Sequence, residues 1–219
     1  MTIPSNKILQ QMAKASYDSN HALIPGWRLI YKTPTITAYL MGRVIVLAIR
    51  GTADAIDAHA DIALGLGNLE ISDRYRKDES DIRTLQKRFP ISRYIYYATG
   101  HSLGGAINDL LIRNGLIRSA VSFNPAVEPN AVKNTNKRIY IESDPLYQTL
   151  VKGQQKPIAD EVRPSIKPDG LHSFLKRIPL VGNTMSELYH GYKSHQIDNF
   201  EGGLAYQLGY ETPPEWLLE

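Results

Sequence analysis

The chain has 219 residues and no cysteine, which fits one large domain or two small ones and excludes disulfides, thiolate nucleophiles, Fe–S clusters and thiolate zinc sites. Its 25 Lys and Arg against 22 Asp and Glu give a net charge of +3, too small a surplus to imply a nucleic-acid partner. The longest wholly apolar run is the short Val44–Ile49, against roughly 20 residues for a membrane span, and the opening MTIPSNKILQ lacks the apolar stretch of a secretory signal.

Ile8, Leu9, Met12 and Ala13 recur at helical spacing, with Ser5 placed to cap them, and Pro25-Gly26 ends that segment. Three β-rich runs follow at Arg28–Tyr31, Thr35–Leu40 and Val44–Ile49, with Met41-Gly42 expected as a tight turn. The last run, VIVLAI, is apolar throughout and predicts a strand covered on both faces. Ile82, Leu85 and Phe89 predict a short helix stopped by Pro90. A β-rich run, Tyr94–Ala98, leads into Thr99-Gly100; helical spacing then resumes at Ile107, Leu110 and Leu111, with Gly115 as the C-cap candidate. Two further β-runs lie at Ala120–Asn124 and Arg138–Glu142. Strands alternating with helices predict a mostly parallel central sheet with helices on both faces. Residues 152–170 carry three prolines and are expected as a surface excursion, and Trp216 with Leu217–Leu218 as a docked tail.

Basic residues cluster at Arg74, Arg76, Lys77, Arg83, Lys87 and Arg88, but Asp73, Asp78, Glu79 and Asp81 interleave with them. This pattern predicts a solvated helical face, as do Lys133, Lys137 and Arg138. The 13 tyrosines have no spacing suited to base stacking.

The most informative stretch is Gly100-His101-Ser102-Leu103-Gly104, a G-x-S-x-G sequence with a β-run before it and a helical run after it. A serine on so sharp a strand-to-helix turn has strained backbone angles. Side chains two positions to either side would strike neighbouring backbone, hence the glycines. The turn also sets the Leu103 N–H at a helix N-terminus, where developing negative charge is stabilised. A second N–H is needed from a strand-end loop, and VIVLAI runs directly into Arg50-Gly51-Thr52, making Thr52 the candidate.

Together these segments resemble the class 3 lipase family of fungal-lipase-like α/β-hydrolases. VIVLAIRGT is similar to the family's apolar strand ending in R-G-T or R-G-S, and GHSLGGA to its serine elbow. The family continues after R-G-T with D-W-x-x-D. Here Asp57-Ala58-His59-Ala60-Asp61 keeps both acids and replaces the tryptophan by Ala58. Ser122-Phe123-Asn124-Pro125, Asp144-Pro145 and a late histidine extend the resemblance over most of residues 40–200. It implies an α/β-hydrolase domain, taken as a single unit over residues 1–219, with the chain order serine, acid, histidine.

Asp144 follows the β-run RIYIE, so its carboxylate is expected at the strand's C-terminal end; Glu142 is the weaker candidate, being inside the run. Among six histidines, His21 precedes the hydrolase core, His59 lies in a lid-like segment, and His101 is held in the elbow beside the serine. His172, His190 and His195 remain as bases. The resemblance favours His195, which lies 51 residues after Asp144 in a segment similar to the family's final histidine. Asp61 looks like the family acid that orients the oxyanion residue.

The implied activity is a serine carboxylic-ester hydrolase acting on lipid acyl esters through Ser102, His195 and Asp144, with Thr52 and Leu103 as oxyanion donors. No metal or cofactor is inferred, because no histidine spacing forms a zinc motif. The expected partner is a lipid or other acyl ester, in solution or at a membrane or micelle surface. Residues 53–60 are small and polar apart from Ile56, which favours a lipolytic esterase over a triglyceride lipase. Phe174, Leu175, Ile178, Leu180 and Val181 offer a candidate second apolar wall. Two other readings stand beside this one: a thioesterase or acyltransferase with the same triad, and a catalytically silent hydrolase fold serving a larger assembly. Oligomeric state and compartment are not indicated.

Overall fold

A computed structural model describes residues 4–18, 23–52, 69–70, 72–128, 132–152, 158–165 and 195–200. Helix α1 (Asn6–Ala15) starts at Ser5, whose Oγ accepts the Ile8 N–H at 3.4 Å. Strands β1 (Arg28–Lys32), β2 (Ile36–Met41) and β3 (Val44–Ile49) form an antiparallel meander. Its second turn falls one residue later than expected. Met41 still pairs with Val44, and the two-residue loop is Gly42-Arg43, with Gly42 at φ 58°. A loop this short needs positive φ, which glycine adopts without strain.

Next come α2 (Asp73–Arg88), β4 (Ile95–His101), α3 (Leu103–Arg113), β5 (Ser119–Phe123), β6 (Asn136–Ile141) and β7 (Glu161–Arg163). The seven strands stand side by side in chain order, and every pair from β3 to β7 is parallel. This is the mostly parallel α/β sheet expected from the alternation of elements.

The apolar strand β3 explains the layering. Ile45, Leu47 and Ile49 point into a core with Tyr75, Ile82 and Leu85 of α2 and Ile107 and Leu111 of α3. Val44, Val46 and Ala48 point the other way, against Leu9, Met12 and Ala13 of α1 and Phe200. Period-two alternation thus feeds two cores from one strand, which requires both faces to be apolar. Helix α3 closes with the Gly115 N–H on the Ile112 carbonyl (3.0 Å) and the Leu116 N–H on that of Leu111 (2.9 Å). Asn114 is the cap residue and Gly115, at φ 67°, lies just beyond it.

Three expectations need correction. Helix α2 is long, at 16 residues, because Ser72 caps it several residues before the apolar stripe begins. Its charged face is only partly solvated, since Asp78 is fully buried, paired with Arg74 at 2.8 Å. Arg138 is buried as well, not solvated like Lys133 and Lys137. Its guanidinium meets Asp109 at 3.0 Å and donates to the carbonyls of Val132 and Ile158. Finally, the polar stretch 152–170 contributes the short edge strand β7. No helix among the described residues is long and apolar enough to cross a membrane.

Candidate active site

The parallel register brings the C-terminal ends of β3, β4, β5 and β6 to one rim. Ile49 pairs with Gly100, His101 with Phe123, and Phe123 with Ile139. Ser102 leaves β4 at this rim as the residue before α3, with φ 56° and ψ −126°. A non-glycine residue at such angles is strained and persists only where its surroundings hold it. Here the Ser102 N–H donates to the Phe123 carbonyl (3.3 Å), and the Ser102 carbonyl accepts from Gly105 (2.9 Å) and Ala126 (3.1 Å). The hydroxyl does not cap its own helix.

The flanking glycines are steric necessities. A Cβ on Gly104 would strike the Ile49 carbonyl oxygen, and one on Gly100 would lie 2.7 Å from the Gly104 carbonyl carbon. Strand β3 and helix α3 therefore touch backbone to backbone beneath the serine. Leu103 is the first residue of α3, a position whose N–H has no intrahelical acceptor.

Asp144 and His195 meet at the same rim. His195 Nδ1 lies 2.6 Å from Asp144 Oδ2, with the two side chains 3% and 0% exposed. The other carboxylate oxygen, Oδ1, accepts the Tyr147 N–H at 3.1 Å, so Asp144 also caps the turn that follows. Both oxygens are thus oriented, with Oδ2 directed at the imidazole. The His195 ring lies 4.6 Å, centroid to centroid, from the ring of His101, the residue that precedes Ser102 in the chain. Asn124, at φ 40°, ties β5 to β6 by accepting the Ile141 N–H at 2.8 Å. Glu142 is exposed and lies in the turn after β6, outside the strand that was expected to contain it.

Thr52 is exposed and follows Arg50-Gly51 in the loop after β3. That loop is gripped from three sides. The Arg50 N–H donates to the Thr35 carbonyl (2.9 Å) and Arg74 Nη2 donates to the Arg50 carbonyl (2.6 Å). The Gly51 N–H donates to the Tyr17 hydroxyl (3.0 Å). Asp78 secures the clamp, holding Arg74 through Oδ2 and accepting from the Thr35 hydroxyl (2.6 Å) through Oδ1. Burial, partly offset by the Gly51 N–H and the nearby Arg50 and Arg74 charges, pushes the Tyr17 hydroxyl up to about 12, so it is a phenol at neutral pH.

Sequence reasoning missed Tyr17, Arg74 and Asp78. The i, i+4 spacing of Arg74 and Asp78 was a usable signal; nothing in the sequence connects Tyr17 to Gly51. Asp61, His59, His172, His190, the lid-like residues 53–60, the apolar wall at 174–181 and the tail at 216–218 lie outside the described residues. Among the described residues, no three His, Asp or Glu side chains converge as metal ligands would.

No protein-family model matches the chain, and no curated protein does. Two solved structures are similar to it. One is a mutant form of MDLA from Penicillium cyclopium, at 19% identity and TM-score 0.48, covering 75% of this chain and 80% of that one. The other is described as a fungal lipase, at 18% identity and TM-score 0.49, with the same coverage of 75% and 80%.

Proposed function

We propose that this chain is a serine carboxylic-ester hydrolase acting on lipid acyl esters. The observation that carries the reading is the buried Asp144–His195 pair, 2.6 Å apart, on the rim where a strained serine keeps its hydroxyl off its own helix. With its Nδ1 proton directed at Asp144, neutral His195 carries its lone pair on Nε2, the nitrogen that must receive a proton from serine.

Ser102 Oγ attacks the ester carbonyl carbon while His195 Nε2 takes the hydroxyl proton. Asp144 holds the imidazole tautomer and stabilises the cation. The tetrahedral oxyanion is met by the Leu103 N–H at the start of α3 and by the Thr52 N–H from the loop after β3. One such donor is worth about 3–4 kcal/mol of transition-state stabilisation. Collapse breaks the ester C–O bond, and the leaving alcohol takes the proton from His195. Water then attacks the acyl-enzyme by the same steps in reverse roles, releasing the acid and restoring Ser102. Asp61 is the proposed support for Thr52. The lipid substrate is supported by the resemblance of the RGT and GHSLGGA segments to the lipase family.

The test is a panel of esters differing only in acyl length and head group, offered to the wild type and to Ser102→Ala. Hydrolysis to acid and alcohol by the wild type alone supports the proposal. A folded wild type that cleaves none of them supports the catalytically silent reading, and transfer of the acyl group to an added alcohol in preference to water supports an acyltransferase.

A further inference from the structure

A chain of hydrogen bonds links the loop carrying one proposed oxyanion donor to the segment carrying the proposed base. It crosses four separate parts of the sequence. The Gly51 N–H reaches the Tyr17 hydroxyl at 3.0 Å, that hydroxyl lies 3.1 Å from His101 Nδ1, and His101 Nε2 lies 2.5 Å from the His195 carbonyl oxygen.

The direction of each bond follows from chemistry. A carbonyl only accepts, so His101 carries its proton on Nε2. In a neutral imidazole Nδ1 then accepts, and the single Tyr17 proton goes to it. The phenol oxygen is left to accept from Gly51, as the backbone geometry requires. Every donor finds an acceptor, and the His101 tautomer is fixed. The space is tight as well, since a Cβ on Gly51 would fall 2.5 Å from the His101 carbonyl oxygen.

We infer that Tyr17 and His101 are positioning residues, forming a strut that sets the distance between the oxyanion loop and the His195 main chain. The inference rests on the hydrolase reading. Neither residue touches the ester; each acts through the groups it holds. Small displacements matter, because a shift of about 1 Å between reacting groups can cost roughly 100-fold in rate.

The test compares Tyr17→Phe, His101→Leu, His101→Gln and the Tyr17→Phe/His101→Leu pair, with active sites titrated so that rates refer to folded enzyme. The expected result for Tyr17→Phe is a kcat lower by about 10- to 100-fold with KM changed less than about two-fold. The double variant is no slower than His101→Leu alone, since both changes break one strut. His101→Gln, whose amide N–H can still reach the His195 carbonyl, recovers part of the loss. In ¹⁵N spectra of the wild type at neutral pH, His101 is neutral with its proton on Nε2. An unchanged kcat for Tyr17→Phe, multiplying rate losses in the double variant, or a proton on His101 Nδ1 overturns the strut. A wild type that hydrolyses no ester overturns the hydrolase reading instead, and the positioning role falls with it. An active wild type indifferent to Tyr17→Phe overturns the positioning role alone.

Discussion

Two buried polar clusters, one beneath helix α3 and one at the sheet rim where that helix begins, are built differently. Beneath the helix, Asn108 donates to Ser122 (3.0 Å), Ser122 to Asn136 (2.8 Å), and Asn136 and Arg138 to Asp109 (2.9 and 3.0 Å). These groups tie α3 to β5 and β6 and direct their hydrogen bonds at one another. At the N-terminal end of α3, Asp144 and His195 are equally buried, yet Ser102 is held in strain by its backbone and its hydroxyl is left off the helix cap. Burial of polar groups alone therefore does not mark a site. The first cluster ties scaffold elements together, whereas the second adjoins the start of α3, where the serine hydroxyl makes no cap bond.

This contrast is broken or sharpened by substitutions at each end. The largest effect is expected at Ser102→Ala. In steady-state assays kcat should fall by roughly a million-fold, while thermal melting shows no loss of stability. Asp144→Asn should lower kcat by about 10,000-fold, by disturbing the imidazole tautomer rather than the fold. The scaffold cluster should answer the other way. Asp109→Ala leaves the Arg138 guanidinium, 1% exposed, without its carboxylate. It should destabilise the chain by about 3 kcal/mol in urea unfolding, while the rate per titrated site stays near wild type. The smallest effect concerns pH. The folded pKa of Tyr17, about 12, lies above its ordinary value of 10. Its contribution to stability is complete below pH 10 and is lost between 10 and 12. A phenolate absorbance titration should show this tyrosine ionising late, with stability declining over the same window.

Much of the fold was legible because periodicity reports local burial. VIVLAI could only be a doubly covered strand, and the glycines of GHSLGG announced close backbone contact by their spacing alone. What escaped were contacts between distant residues. Arg138 reads as one more basic residue near Lys133 and Lys137; its partner Asp109 lies 29 positions earlier, on another element. Strand β7, Glu161-Val162-Arg163, is only three residues long, too short for its alternation to stand out. Asp78 was lost among alternating charges because a helix face shows charge, not which member of it turns inward. At the rim, the local turn at Ser102 was readable from five residues. The grip of Tyr17 on Gly51, across 34 positions, was not. Roles assigned there to Thr52, Leu103 and Asp61 are proposals that rate measurements decide.

The most direct measurement is the rate at which a fluorophosphonate probe labels the folded protein, with the adduct mapped by mass spectrometry. The expected result is one adduct per chain, at Ser102, forming at least about 1,000-fold faster in the wild type than in His195→Ala. A folded wild type that is not labelled, or one labelled at Ser102 equally fast without His195, would contradict the triad.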